Sequence, residues 1–221
     1  MIKTIIVSIT IIFVIHYLRY RKYINPYKLY MIFGKKGSGK SSYLVKLALD
    51  YKKRGYTVYT NMQDMMIPDI RVFKEDDLGE FVPPEKSVIL WDEAGMKFDN
   101  RQFRNFSIEK RDFFKLQRHY KVIVYLASQN FDVDKKLRDL TDKMFLVNNI
   151  GIVYSLIRPI RKSITLTEST SEAESRIAEN LKFEWLFSWK LIKLTKYTKY
   201  FESFVVPEKP QLAYYIQGIK K

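Results

Sequence analysis

Hydrophobic and polar positions fall into blocks of different period along the chain, and each block predicts an element. Residues 1–18 form the longest apolar run: Ile5, Ile6, Val7, Ile9, Ile11, Ile12, Phe13, Val14 and Ile15 are broken by Ser8 and Thr10. As a helix, residues 1–20 would be about 30 Å long, the hydrocarbon thickness of a bilayer. A buried core segment is the competing reading of the same run. Asn25-Pro26 then punctuates the chain. Residues 28–33 are a short apolar block and predict a buried strand. Across residues 40–54, Tyr43, Leu44, Leu47, Ala48 and Tyr51 recur at helical spacing, and Gly55 stops that helix. Residues 56–60 predict a second strand, and residues 61–82 read as irregular or as holding short elements. Residues 87–91 and 122–127 predict buried strands, and residues 144–147 and 152–157 a hairpin around Asn149 and Gly151. A helix is expected from Ser107 to about His119 and another over residues 132–140. Alternating strands and helices predict an α/β fold with a mostly parallel, doubly wound sheet flanked by helices.

Phosphate chemistry sits at the end of the first strand. Gly34-Lys35-Lys36-Gly37-Ser38-Gly39-Lys40-Ser41-Ser42 matches G-x-x-x-x-G-K-[ST], the P-loop pattern. Backbone N–H groups must curl around a triphosphate, and glycine tolerates that curl and that closeness. The helix that follows points its positive dipole end at the phosphates. Lys40 reaches the β- and γ-phosphates, and the Ser41 hydroxyl can hold Mg²⁺. ATP with Mg²⁺ is therefore the expected ligand. The strand over residues 87–91 ends in Asp92 and Glu93, at the strand tips where ligands bind in open α/β sheets. Asp92 is the candidate Mg²⁺ acid, and Glu93 the candidate group that orients or deprotonates the attacking water. Gln129, just beyond the next predicted strand, is a candidate sensor of the γ-phosphate; an ordinary turn is the plain alternative.

Composition narrows the setting. The chain has no Cys and two His, His16 and His119, which excludes a disulfide framework and argues against thiolate or histidine metal centres. The formal net charge of +15 favours polyanions, nucleic acid or an anionic membrane face. Arg19, Arg21 and Lys22 follow the apolar run at once. By the positive-inside rule they put the rest of the chain in the cytoplasm, where ATP is. A cleaved signal peptide fits poorly, because little positive charge precedes the run and no small-x-small site follows it. The expected organisation is a membrane anchor at residues 1–22, a P-loop ATPase domain at 27–160 and a basic, aromatic extension at 161–221.

The P-loop at residues 34–41, Leu90-Trp-Asp-Glu-Ala94, Gln117-Arg-His-Tyr120, Tyr125-Leu-Ala-Ser-Gln-Asn130 and Lys136-Leu-Arg-Asp-Leu140 together resemble the zonular-occludens-toxin-like ATPases. These are filamentous-phage assembly proteins within the FtsK/HerA-like motor ATPases. The resemblance spans about residues 28–150. It implies Walker B roles for Asp92 and Glu93 and a sensor role for Gln129. It also implies an ATPase that exports single-stranded phage DNA while coat protein is added, single-pass in the inner (cytoplasmic) membrane of the host. Such motors work as rings in which a neighbour's arginine completes each site; a hexamer is implied, and Arg118 and Arg138 are the candidate fingers. A solvated helix surface is the plain reading of those arginines. One departure matters: many such proteins carry their span after the ATPase domain, whereas the span here precedes it. A contact with an outer-membrane channel is thus not carried over. A plasmid or conjugative DNA translocase, and an ATP-binding scaffold without turnover, remain as alternatives.

Beyond residue 161 the expectations are local. Residues 163–170 read as a linker or exposed strand. Residues 171–181 read as a short helix opened by a Ser171/Glu174 capping box. Residues 182–204 interleave Trp185, Trp189, Tyr197, Tyr200 and Phe201 with Lys182, Lys190, Lys193, Lys196 and Lys199. That pattern suits a grip on single strands, a membrane surface, or aromatics packed on the ATPase core with lysines outside. Residues 207–221 read as a tail.

Overall fold

The structure, a computed structural model, describes residues 2–74, 77–94, 108–129, 135–167 and 176–202. Strand β1 (Leu29–Phe33) shows how the core is built. Its side chains alternate across the sheet. Leu29, Met31 and Phe33 join one apolar cluster, and Ile32, with Tyr30 packed against it, joins the other. Both faces are therefore covered, as a parallel sheet requires. Helix α2 (Lys40–Lys53) covers one face with Tyr43, Leu44, Val45, Leu47, Ala48 and Tyr51. Leu44 and Val45 are fully buried, a stabilisation of about 1.5–3 kcal/mol each. Helix α3 (Ile108–Leu116) brings Phe113 and Phe114 to the other face, and the short α4 (Lys135–Asp139) brings Leu137 there.

Strands β2 (Thr57–Thr60), β3 (Arg71–Val72), β4 (Ser87–Trp91) and β5 (Val122–Ser128) run parallel to β1. β6 (Lys143–Ile150) is parallel to β1 on its other side. The order is β3-β2-β4-β5-β1-β6-β7-β8, with β9 also on β7. The chain thus crosses from the left of β1 to its right after β5, and this switch opens a crevice at the C-terminal ends of β4, β5 and β1.

The predicted hairpin is present: β7 (Tyr154–Thr167) pairs antiparallel with β6. Residues 61–82, read as irregular or holding short elements, contain β3, an edge strand beside β2. Two local expectations change. The boundary expected at residue 161 falls inside β7, and β9 (Lys190–Lys193) returns to the same sheet. Residues 176–181, read as helix, belong to strand β8 (Arg176–Phe183), paired with β7 from Ile160 to Thr167. β7 offers an open edge there, and pairing along it overrides the local capping signal. Ser171 and Glu174 lie outside the described residues, as do residues 98–107, Asn130 and residues 207–221.

The aromatics beyond residue 182 divide. Tyr197 and Phe201 are buried against the α2 face, whereas Trp185 and Phe187 are exposed. Helix α1 (Ile2–Tyr20) is separate from the core. The span Lys3–Tyr23 is long and apolar enough to cross a membrane, and none of it is buried in the protein.

Candidate nucleotide-binding and hydrolysis site

The loop between β1 and α2 is built so that side chains are kept out. A Cβ on Gly34 would lie 2.5 Å from both Ser38 Oγ and the Val147 carbonyl. One on Gly39 would lie 2.5 Å from Ser155 Oγ, and Gly39 has φ of +94°. Gly37 is also left-handed, at φ +74°, but faces open space. Lys35 and Lys36 are exposed, Ser38 is buried, and Ser42 is buried in the first turn of α2. The Ser38 hydroxyl is buried without a hydrogen-bond partner among the described residues, as suits a cradle that a ligand completes. Lys40 Nζ donates to the carbonyls of Gly34 (2.7 Å) and Lys35 (3.0 Å). Burial holds its ammonium below the ordinary lysine range, and Asp92 and Glu93 partly oppose that shift. An anion beside it relieves the same penalty.

The acids meet the loop directly. Ser41 Oγ donates to Asp92 Oδ2 at 2.6 Å. Burial raises the Asp92 carboxyl above the ordinary range, against the Ser41 hydrogen bond, the Glu93 N–H and Lys40. Glu93 sits at φ +54°, an uncommon conformation for a residue with a Cβ, and one worth noting at a strand tip. Its N–H donates to Asp92 Oδ1 at 2.9 Å. β5 lies between the P-loop strand and the acid strand, with Ser128 opposite Phe33. Gln129 follows at that tip and its Nε2 donates to Glu93 Oε1 at 3.3 Å. Gln129, Glu93, Asp92, Ser41 and Lys40 therefore converge on one crevice.

The fold is that of a P-loop NTPase. The donor set fits a hard divalent ion: a hydroxyl and a carboxylate already in contact, next to a cradle for phosphates.

Arg118 and Arg138 are not in this crevice. Arg118 lies in the exposed turn before β5 begins. The Arg138 carbonyl accepts from the Thr141 hydroxyl at 2.6 Å, one residue before Asp142, whose N–H donates to the Leu29 carbonyl at the start of β1. Both stand toward the opposite end of the strands.

Three contributors carry no motif. Asn61, just past β2, clasps the Asp92 backbone from both sides: its Nδ2 donates to the Asp92 carbonyl (2.9 Å) and its Oδ1 accepts the Asp92 N–H (2.8 Å). Asn149 Nδ2 donates to the Gly37 carbonyl at 2.8 Å. Ser155 Oγ lies 2.7 Å from the Ser38 carbonyl and 2.9 Å from Asn149 Oδ1. The β6–β7 hairpin thus braces the P-loop from behind. Asn61 is a polar residue at a strand tip, the signal that singles out Gln129; Asn149 and Ser155 have no such signal.

No protein-family model and no curated protein sequence matches the chain. Among solved structures, it is similar to the N-terminal domain of zonular occludens toxin from Neisseria meningitidis, with 16% identity and a TM-score of 0.47 over 80% of this chain and 99% of that one. It is similar to the genome packaging NTPase B204 from Sulfolobus turreted icosahedral virus 2 in complex with ATP-gammaS, with 16% identity and a TM-score of 0.47 over 61% and 92%. It is also similar to the flagellar accessory protein FlaH from Methanocaldococcus jannaschii, at 12% identity and a TM-score of 0.40 over 60% and 77%.

Proposed function

We propose that the chain is a membrane-anchored ATPase motor that drives assembly and export of a filamentous phage carrying single-stranded DNA. The observation that carries the enzymatic part is the contact of the acid pair with the P-loop: Asp92 on Ser41 and Glu93 on Gln129. Gly34 to Gly39 offer backbone donors to the phosphates, and Lys40 neutralises their charge. Ser41 and Asp92 would hold Mg²⁺, which supplies charge neutralisation between the phosphates when bound. Glu93 takes a proton from, or orients, the attacking water, and Gln129 fixes the Glu93 carboxylate by donating to Oε1.

The net charge of +15 supports a nucleic-acid cargo. The apolar span Lys3–Tyr23 and the basic residues after it support a single-pass anchor with the ATPase domain in the cytoplasm. Arginine completion of each site comes, in this reading, from a neighbouring copy in a ring, with Arg118 or Arg138 projecting across the interface. Coat protein and single-stranded DNA are the partners, and ATP is the small-molecule substrate.

The span's position before the domain favours a second reading, a DNA translocase of a plasmid or conjugative element. An ATP-binding scaffold without turnover has no use for the Glu93–Gln129 pair.

Mg²⁺-dependent ATP hydrolysis by the wild type and Glu93→Gln is the deciding measurement. Loss of at least about a hundredfold is expected, with ATP binding retained; equal rates sink the enzyme reading. Stimulation by single-stranded DNA supports phage export, and stimulation by double-stranded DNA alone supports the translocase.

A further inference from the structure

A cavity of about 430 Å³ lies on the α2 face away from the P-loop. Its walls include Tyr30 near the start of β1, Lys143 at the start of β6, Lys46 and Arg54 from α2 and its end, and Phe187 and Lys190. Four cations face it: Lys46, Arg54, Lys143 and Lys190. Asp50 faces it too and pairs with Lys46, while Glu184 pairs with Lys143 at 3.0 Å. The balance is positive. Lys190 is exposed by area, yet surrounding protein and then Lys46 and Lys143 hold its ammonium below the ordinary lysine range. The cluster is short of a negative charge.

Beside the cavity stands an apolar tip. Trp185 is 82% exposed, Leu186 67% and Phe187 95%. Leu181 and Leu191 nearby in the chain are also exposed. Water-exposed apolar groups in a run of this kind mark a contact surface. Five residues separate Tyr23 from Leu29, so the end of the span is within about 20 Å of the start of β1. The cavity is at that same end of the sheet.

We propose that this cavity and the tip of Trp185, Leu186 and Phe187 form a membrane-docking site for the phosphate headgroup of an acidic phospholipid in the leaflet that α1 enters. This rests on the reading of α1 as an anchor. Cations hold the phosphate, Trp185 lies at the interface and the aliphatic side chains enter the acyl boundary. Nucleic acid would use the cations and rings but not Leu181, Leu186 and Leu191, which do not stack on bases.

The test uses the full chain with vesicles of phosphatidylcholine alone, or phosphatidylcholine and phosphatidylglycerol in equal parts, carrying lipids brominated near the headgroup. Trp185 and Trp189 are the reporters, and Trp91, 1% exposed in the core, is the internal reference. Phosphatidylglycerol is expected to increase quenching. Lys46→Gln and Lys190→Gln should each weaken that dependence about fivefold, with nucleotide binding unchanged, while Lys46→Arg and Lys190→Arg should retain it. Equal quenching in both vesicles, or in the glutamine variants, overturns the proposal. So does reversal of the quenching by a single-stranded oligonucleotide, which assigns the site to nucleic acid. Release by alkaline carbonate would refute the anchor separately; phosphatidylglycerol-dependent flotation then reads the pocket, and its absence overturns the docking site too.

Discussion

Ser155→Ala isolates the support that the β6–β7 hairpin gives the P-loop. The residue is fully buried, and its hydroxyl lies 2.7 Å from the Ser38 carbonyl and 2.9 Å from Asn149 Oδ1. The single hydroxyl proton serves one of these acceptors at a time, so the substitution removes one hydrogen bond and leaves a buried carbonyl oxygen unsatisfied. It opens almost no cavity, since only one oxygen is lost. The cost of such a deletion is about 1–3 kcal/mol. Where it falls on the loop's preorganisation, the ATP dissociation constant rises about five- to 150-fold. Where it falls on the fold, the melting temperature drops by about 2–4 °C for each kcal/mol in a chain of this size. Titration of a fluorescent ATP analogue and a thermal melt of the same preparation separate the two. The side chain touches no reacting group, so turnover at saturating ATP should stay near wild type. Wild-type affinity together with a wild-type melting temperature would refute the bracing role.

Gly39→Ala places a Cβ 2.5 Å from Ser155 Oγ and 2.7 Å from Leu194 Cδ2 on a backbone at φ +94°. The left-handed backbone alone costs about 1–2 kcal/mol, so a lower melting temperature and lost ATP binding are expected; an unshifted melt would show that the loop relaxes freely. Asp92→Asn should stabilise the ATP-free protein at neutral pH. The folded-state affinity of Asp92 for its proton is raised above the ordinary value of 3.8, so its contribution is fully present below that value and is lost as pH rises through the raised one. The advantage of Asn should therefore grow with pH from the acid side and then level off, and a pH series of melts that shows no such trend would count against the burial argument. The same variant should lose Mg²⁺-dependent ATP binding, read by titration with and without the ion.

Much of the core was legible because its causes are local. The apolar period of residues 40–54, the glycines from Gly34 to Gly39 and the strand ending in Asp92 each carry their reason within a dozen residues. What the sequence leaves hidden depends on pairs far apart in the chain. β8 has a capping signal near its start but becomes a strand because β7 presents an open edge. Asn149 and Ser155 look like turn and strand residues, and become part of the P-loop's support only when β6 and β7 close against it. Asn61 reads as loop until the parallel pairing of β2 with β4 sets it beside the Asp92 backbone.

The basic cavity is the extreme case. Its walls come from β1, α2, β5, β6, β7, the turn before β9 and the first residue of β9, so no spacing rule could assemble it. Both ends of α2 matter to the molecule. Lys40 and Ser41 enter the nucleotide crevice, while Lys46, Asp50 and Arg54 line the cavity about two to four turns further on. The helix rises about 1.5 Å per residue, which sets Arg54 about 20 Å from Lys40 along one rigid element. Under the anchored reading proposed above, with α1 entering the membrane at that far end, the P-loop crevice would lie on the side of the sheet away from the membrane.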